Sequence, residues 1–174
     1  MHKKRLILLA LATVLILLLP LITMQFTDEV IWNLADFIVA GILIFGFGLT
    51  YQLISSEMKL VTYKVAVGLA VATSLILIWM NLAVGIIGNE ENPANLMFFG
   101  VLAVGMIGTF IARLKPYGMA LTLFAMAFAQ ILIAIFTLIA GLGFTLIING
   151  LFASLWCGSA LLFLIANQQQ AIEH

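Results

Sequence analysis

Four polar residues stand out in a chain that is otherwise nearly all hydrocarbon: Asn33, Asp36, Asn81 and Asn149. Asp36 follows Asn33 by three positions, which on a helix puts both on one face. In an apolar span read from Val30, Asp36 lies about 9 Å inside the membrane at about 1.5 Å per residue. A carboxylate at that depth costs several kcal/mol unless it is paired, hydrated or protonated. No Lys or Arg falls at the same depth, so Asp36 needs a cation, water or amide donors, or else a proton. Asn81 and Asn149 lie at a similar distance from the same membrane surface, and Trp32 and Trp79 can wall them. The chemistry of such an outer-leaflet pocket is that of a cation, a proton or a small polar ligand. The competing reading is structural, with interhelical hydrogen bonds worth about 1 kcal/mol each fixing the bundle. Deeper in the spans polar groups are few: Gln130 near the centre of the fifth, and the hydroxyls of Ser74, Thr109, Ser154 and Ser159.

Enzyme chemistry is not expected. The only histidines are His2 and His174, and Cys157 is the single cysteine. Neither an intramembrane metal cluster nor paired haem ligation is available within one chain. No serine or cysteine has a visible general base, and no glycine-rich loop is built to cradle phosphate. No catalytic residue, cofactor or metal is therefore assigned, and nothing suggests a nucleic-acid partner.

The elements that must position these residues follow from composition. With 65% hydrophobic and 8% charged residues and a mean hydropathy of +1.27, the chain departs far from the roughly 25% charged content of soluble domains. Apolar runs of about 20 residues, enough to cross a core about 30 Å thick, recur at 6–26, 30–54, 65–87, 93–114, 118–140 and 146–166. They are continuous and do not alternate as barrel strands do. The expected fold is all-α: a six-helix integral membrane bundle forming one transmembrane domain over 1–174. Asn92-Pro93 reads as a cap followed by proline in the first turn, and Thr27-Asp28-Glu29 as a cap followed by two acids.

All seven basic residues fit on one side: Lys3, Lys4 and Arg5 before the first span, Lys59 and Lys64 before the third, Arg113 and Lys115 between the fourth and fifth. The positive-inside rule then predicts both termini in the cytoplasm. The first span, basic at its start and leucine-rich, is read as a retained membrane helix and not a secretory signal, because its apolar run is long and no small-residue cleavage site follows. Tyr51, Tyr63 and Tyr117 are expected as interfacial anchors at the inner ends.

Small residues predict where helices meet. Gly105 with Thr109, Gly108 with Ala112, and the stripe Gly150, Ser154, Gly158 allow close backbone approach in lipid. The partner is another helix of the chain, a second copy, or another membrane protein. Two nearly identical heptapeptides, Leu82–Gly88 and Leu102–Gly108, fall at different depths in their spans. They are therefore read as chance similarity in a small alphabet and not as an inverted repeat.

The stretch Phe26–Val30 with Trp32, Asp36-Phe37, Ala40-Gly41 and Phe45-Gly46 resembles a family of small uncharacterised bacterial multi-pass inner-membrane proteins. Ala83–Gly88, Glu91–Met97 and Gly100–Gly105 look like that family's second block. The resemblance implies a bacterial inner-membrane protein and carries no activity. Taken together, these readings predict non-enzymatic small-solute or ion transport or sensing through the pocket around Asp36. The alternative is a structural subunit or assembly factor packed against a membrane partner.

Overall fold

A computed structural model describes residues 3–27, 31–142 and 145–172. The acids Asp28 and Glu29 expected to follow a Thr27 cap, the start of the second span at Val30, and His2 and His174 lie outside the described residues. Every element described is helical: α1 Lys3–Thr23, α2 Leu34–Ser55, α3 Val61–Ala83, a 3-10 turn Pro93–Leu96 leading into α4 Met97–Ala112, α5 Pro116–Ile139 and α6 Leu146–Ile172. Six of these segments, counting Pro93–Ala112 as one, are long and apolar enough to cross a membrane.

The chain divides into two compact units, Met1–Leu53 and Ile54–His174. In the first, α1 and α2 run antiparallel. Gly41 faces Leu17, whose Cδ1 lies 3.4 Å from where a Cβ would stand, and Gly48 is pressed against Leu9. Thr13 and Thr23 donate back to the carbonyls of Leu9 and Leu19, both at 2.9 Å, so their hydroxyls need no other partner in an apolar setting. Most large side chains of α1 are exposed, including Leu8, Leu15 and Leu19.

In the second unit α3 packs on α6, α6 on α5, α5 on α4 and α4 on α3, which closes a four-helix ring. Antiparallel neighbours are registered by specific pairs. Gly158 meets Leu69, Ser159 Oγ donates to the Ala66 carbonyl at 2.8 Å, and the Tyr63 and Phe163 rings meet edge to face at 5.2 Å. Gly105 meets Met126, and Gly108 meets Thr122. Trp156, Tyr63, Phe98, Phe152, Phe163 and Leu77 are fully buried between the helices.

Local chemistry sets the turns. Asn92 Oδ1 accepts from Ala94 N at 3.0 Å, and Pro93 opens the 3-10 turn, where its missing N–H is not needed. Arg113 and Leu114 adopt left-handed backbone (φ 50° and 59°), ending α4 before Pro116 starts α5. Tyr63, expected at an interface, is instead buried, and its hydroxyl donates to the Leu114 carbonyl at 2.9 Å. Tyr63 therefore ties the start of α3 to the strained α4–α5 turn.

Candidate functional site: a buried amide cluster in the four-helix unit

Asn33 and Asp36 are brought together as the start of α2. Asn33 Oδ1 accepts from Ala35 N at 2.7 Å and Asp36 N at 3.2 Å, while Asp36 Oδ2 accepts from Asn33 N at 2.7 Å. This reciprocal arrangement is a capping box with aspartate as the returning acid. Trp32, just before the cap, meets Phe37 edge to face at 5.2 Å, the hydrophobic contact that fixes a helix's approach. Because α2 begins at Leu34, Asp36 stands in its first turn and not 9 Å along the helix, as a start at Val30 predicts. Its carboxylate is matched by the Asn33 backbone N–H and the positive end of the helix dipole. The signal for this was present in the spacing Trp-Asn-x-x-Asp-Phe.

Asn81 and Asn149 belong to the second unit, whereas Asn33 and Asp36 belong to the first. Asn149, fully buried on α6, accepts from Gln130 Nε2 of α5 at 2.8 Å and donates through Nδ2 to the Thr145 carbonyl at 3.0 Å. Thr145 and Thr137 share a hydroxyl hydrogen bond of 2.7 Å, and Thr137 Oγ1 also bonds the Ala134 carbonyl at 2.9 Å. The pairs registering α3 on α6, carried on along the helices, set Leu77 opposite Asn149. Asn81 lies one turn further along α3, but its Nδ2 folds back to the Leu77 carbonyl at 3.2 Å, towards the Gln130–Asn149 level. That direction follows from the tilt of helical side chains towards the helix N-terminus.

Every amide N–H₂ of this cluster thus has an acceptor, but not every carbonyl has a donor. Gln130 Oε1 and Asn81 Oδ1 are buried with no hydrogen-bond partner, as is the indole N–H of Trp156; Gln52 Oε1 on α2 is the other such atom among the described residues. A buried amide oxygen without a donor costs roughly 1–3 kcal/mol, so Gln130 Oε1 and Asn81 Oδ1 each call for a donor that the described side chains do not supply. Asn81 and Asn149 are legible in the sequence as polar residues at similar depth, whereas Gln130 stands there as an isolated polar residue. The Gln130–Asn149 pairing depends on the α5–α6 register, which spacing within one helix does not encode.

A second buried amide does different work. Asn95, 5% exposed, accepts at Oδ1 from Ile86 N at 3.0 Å and Ile87 N at 2.8 Å, and donates from Nδ2 to the carbonyls of Ile87 at 3.3 Å and Asn89 at 2.6 Å. It closes the loop after α3 around its own side chain, with Gly85 and Gly88 left-handed (φ 72° and 69°). Ile86 and Ile87 are thereby turned into the core. Asn95 carries no site role in the sequence reading; the signal is the triplet Asn89, Asn92 and Asn95, spaced by three.

The small residues divide by role. Gly105 and Gly108 lie against α5: a Cβ at Gly105 would stand 2.7 Å from Met126 Sδ, and one at Gly108 2.5 Å from Thr122 Cγ2. Gly158 touches α3 loosely, with Leu69 Cδ2 at 3.7 Å, whereas Gly150 meets nothing within 4 Å. Ser154 is exposed, and its hydroxyl bonds the Leu151 carbonyl of its own helix at 2.7 Å. The stripe on α6 is therefore a packing surface at one end and open at the other. No protein-family model, curated protein or solved structure matches the chain.

Proposed function

We propose that the chain is a non-enzymatic bacterial inner-membrane protein that binds and passes a small solute or ion through the α3–α6 helices. The observation that carries this reading is the pair of buried, donorless carbonyl oxygens, Gln130 Oε1 and Asn81 Oδ1. In hydrocarbon, polar groups are retained where they pair with one another or line a path for a polar guest. A cluster serving packing alone would have its oxygens answered from within, as that of Asn95 is. Asn33 and Asp36 are assigned to starting α2 and take no part in holding the guest.

The test is flux into proteoliposomes containing the full chain. Protein-dependent flux of some small solute or ion is expected, lost in Gln130→Met and retained in Asp36→Asn. Flux lost in Asp36→Asn but not in Gln130→Met would move the site to the α2 cap and sink this assignment. The same reading orients both termini towards the cytoplasm, with Lys59, Lys64, Arg113 and Lys115 inside. With Cys157 replaced by Ala, a cysteine at Glu90 should react with impermeant maleimide from outside and one at Lys115 should not.

A second reading, a subunit docked on a membrane partner, is favoured by the open space over Gly150 and the exposure of Ser154. Gly150→Leu probes it without touching the bundle, because nothing lies within 4 Å. Loss of a stoichiometric co-purifying protein in that variant is its expected signature.

A further inference from the structure

We infer that the guest of the buried cluster is uncharged and carries O–H groups: water or a small polyol, and not an inorganic ion. This rests on the transport reading above and narrows it. The inference comes from which atoms are spent and which are open. Gln130 Nε2, Asn149 Nδ2 and Asn81 Nδ2 are each already donating. Each keeps a second N–H, but no positive charge stands at this level to hold an anion: the only basic side chain in α3–α6 is Lys64, one turn from the start of α3.

A cation fares no better. Between Val61 and Ala83, Pro93 and Ala112, Pro116 and Ile139, and Leu146 and Ile172 there is no Asp or Glu. An ion at the Gln130 level would be buried without counter-charge, which costs far more than two neutral oxygens return. What two open carbonyl oxygens accept without that cost is a neutral donor.

Trp156 extends the pattern. Seven residues beyond Asn149 on α6, about 10 Å along the helix, it presents a buried donor with no acceptor. Between these levels on α3 stands Thr73, fully buried, its hydroxyl donating to the Leu69 carbonyl at 2.7 Å and its oxygen still able to accept. Open acceptors at one level and an open donor at the other are both answered by a group that donates and accepts, as a hydroxyl or water does. An ammonium group or a metal ion answers only one of them.

Water held permanently, water that passes and a passing polyol share this chemistry, and stopped-flow light scattering on proteoliposomes separates them. Vesicles with the full chain are shrunk by an impermeant osmolyte to read water, and swollen in glycerol to read the polyol; sodium and potassium fluxes are followed in parallel. The expected result is protein-dependent water or glycerol permeability, lost in Gln130→Met and in Asn81→Leu, with no protein-dependent ion flux. Two variants on different helices guard against a folding defect, and monodisperse elution with unchanged helicity qualifies each.

Sodium or potassium flux that disappears in Gln130→Met, with water and glycerol at background, overturns the uncharged guest and leaves the transport reading standing. Background in every arm overturns both the transport reading and the passing guest. Water permeability without glycerol permeability supports the inference and limits the guest to water.

Discussion

Leu82–Gly88 and Leu102–Gly108 share all but one residue, Ile86 being replaced by Met106 in the second, yet they build opposite things. The first leaves its helix: α3 ends at Ala83, Gly85 and Gly88 turn left-handed, and Ile86 and Ile87 hang on Asn95. The second stays helical throughout and uses its glycines as a groove for Met126 and Thr122 of α5. Identical local propensity thus yields a loop in one place and a helix-packing face in the other. What differs is the neighbour: an asparagine 8 and 9 residues downstream that offers one oxygen to two backbone N–H groups, against a facing helix that offers side chains. Glycine is required in both, for backbone conformation in one and for absent volume in the other.

Substitutions that separate these two uses have a predicted order. Asn95→Ala should be the most damaging, because it strands two buried N–H groups at roughly 1–3 kcal/mol each. An unfolding loss of about 2–6 kcal/mol in mixed micelles is expected, with faster proteolysis between Gly85 and Asn92. Asn95→Asp keeps the acceptor oxygen and should lose less.

Gly85→Ala comes next. Left-handed backbone costs a non-glycine residue about 1–2 kcal/mol, and the added Cβ meets the backbone of Asn89 and Glu90, which cannot swing aside. Gly108→Ala should cost about 1 kcal/mol, overpacking against Thr122 being partly offset by the helix propensity of alanine. Thr122 is β-branched and stiff, and its hydroxyl is engaged with the Gly118 carbonyl at 3.0 Å.

Gly105→Ala should change stability by less than about 1 kcal/mol, because a flexible methionine can yield. Equal losses at Gly85 and Gly105 in the same unfolding assay would break the distinction between conformational and volumetric glycines. Asn33→Ala, which removes a cap elsewhere, calibrates the scale at about 1 kcal/mol.

Much of the fold was legible because long apolar runs impose it. The six apolar runs match six helices, most with ends shifted by two to six residues. The α3 shift has a clear cause: Val84–Ile87 are apolar enough to continue the span, and only the Gly85 turn and the Asn95 hydrogen bonds stop them. At α2, the capping box over Trp32–Phe37 is a local signal that hydropathy averages away. Of the four polar residues first singled out, Asn33 and Asp36 meet each other, and Asn149 meets Gln130. Equal depth in a membrane does not imply contact, because depth is one coordinate and the position around each helix is another.

By itself the sequence determined the all-helical character, the number of helices long and apolar enough to cross a membrane, and most turn positions. Those follow from the backbone's need for internal hydrogen bonds in hydrocarbon and from short-range signals such as Asn92-Pro93. Only the tertiary structure decided which polar groups are answered and which are left open. That distinction depends on the register between helices far apart in the chain, set by close packing of Gly105, Gly108 and Ser159 against their neighbours. A side chain's partner across such an interface is a property of the packed set and not of any single helix.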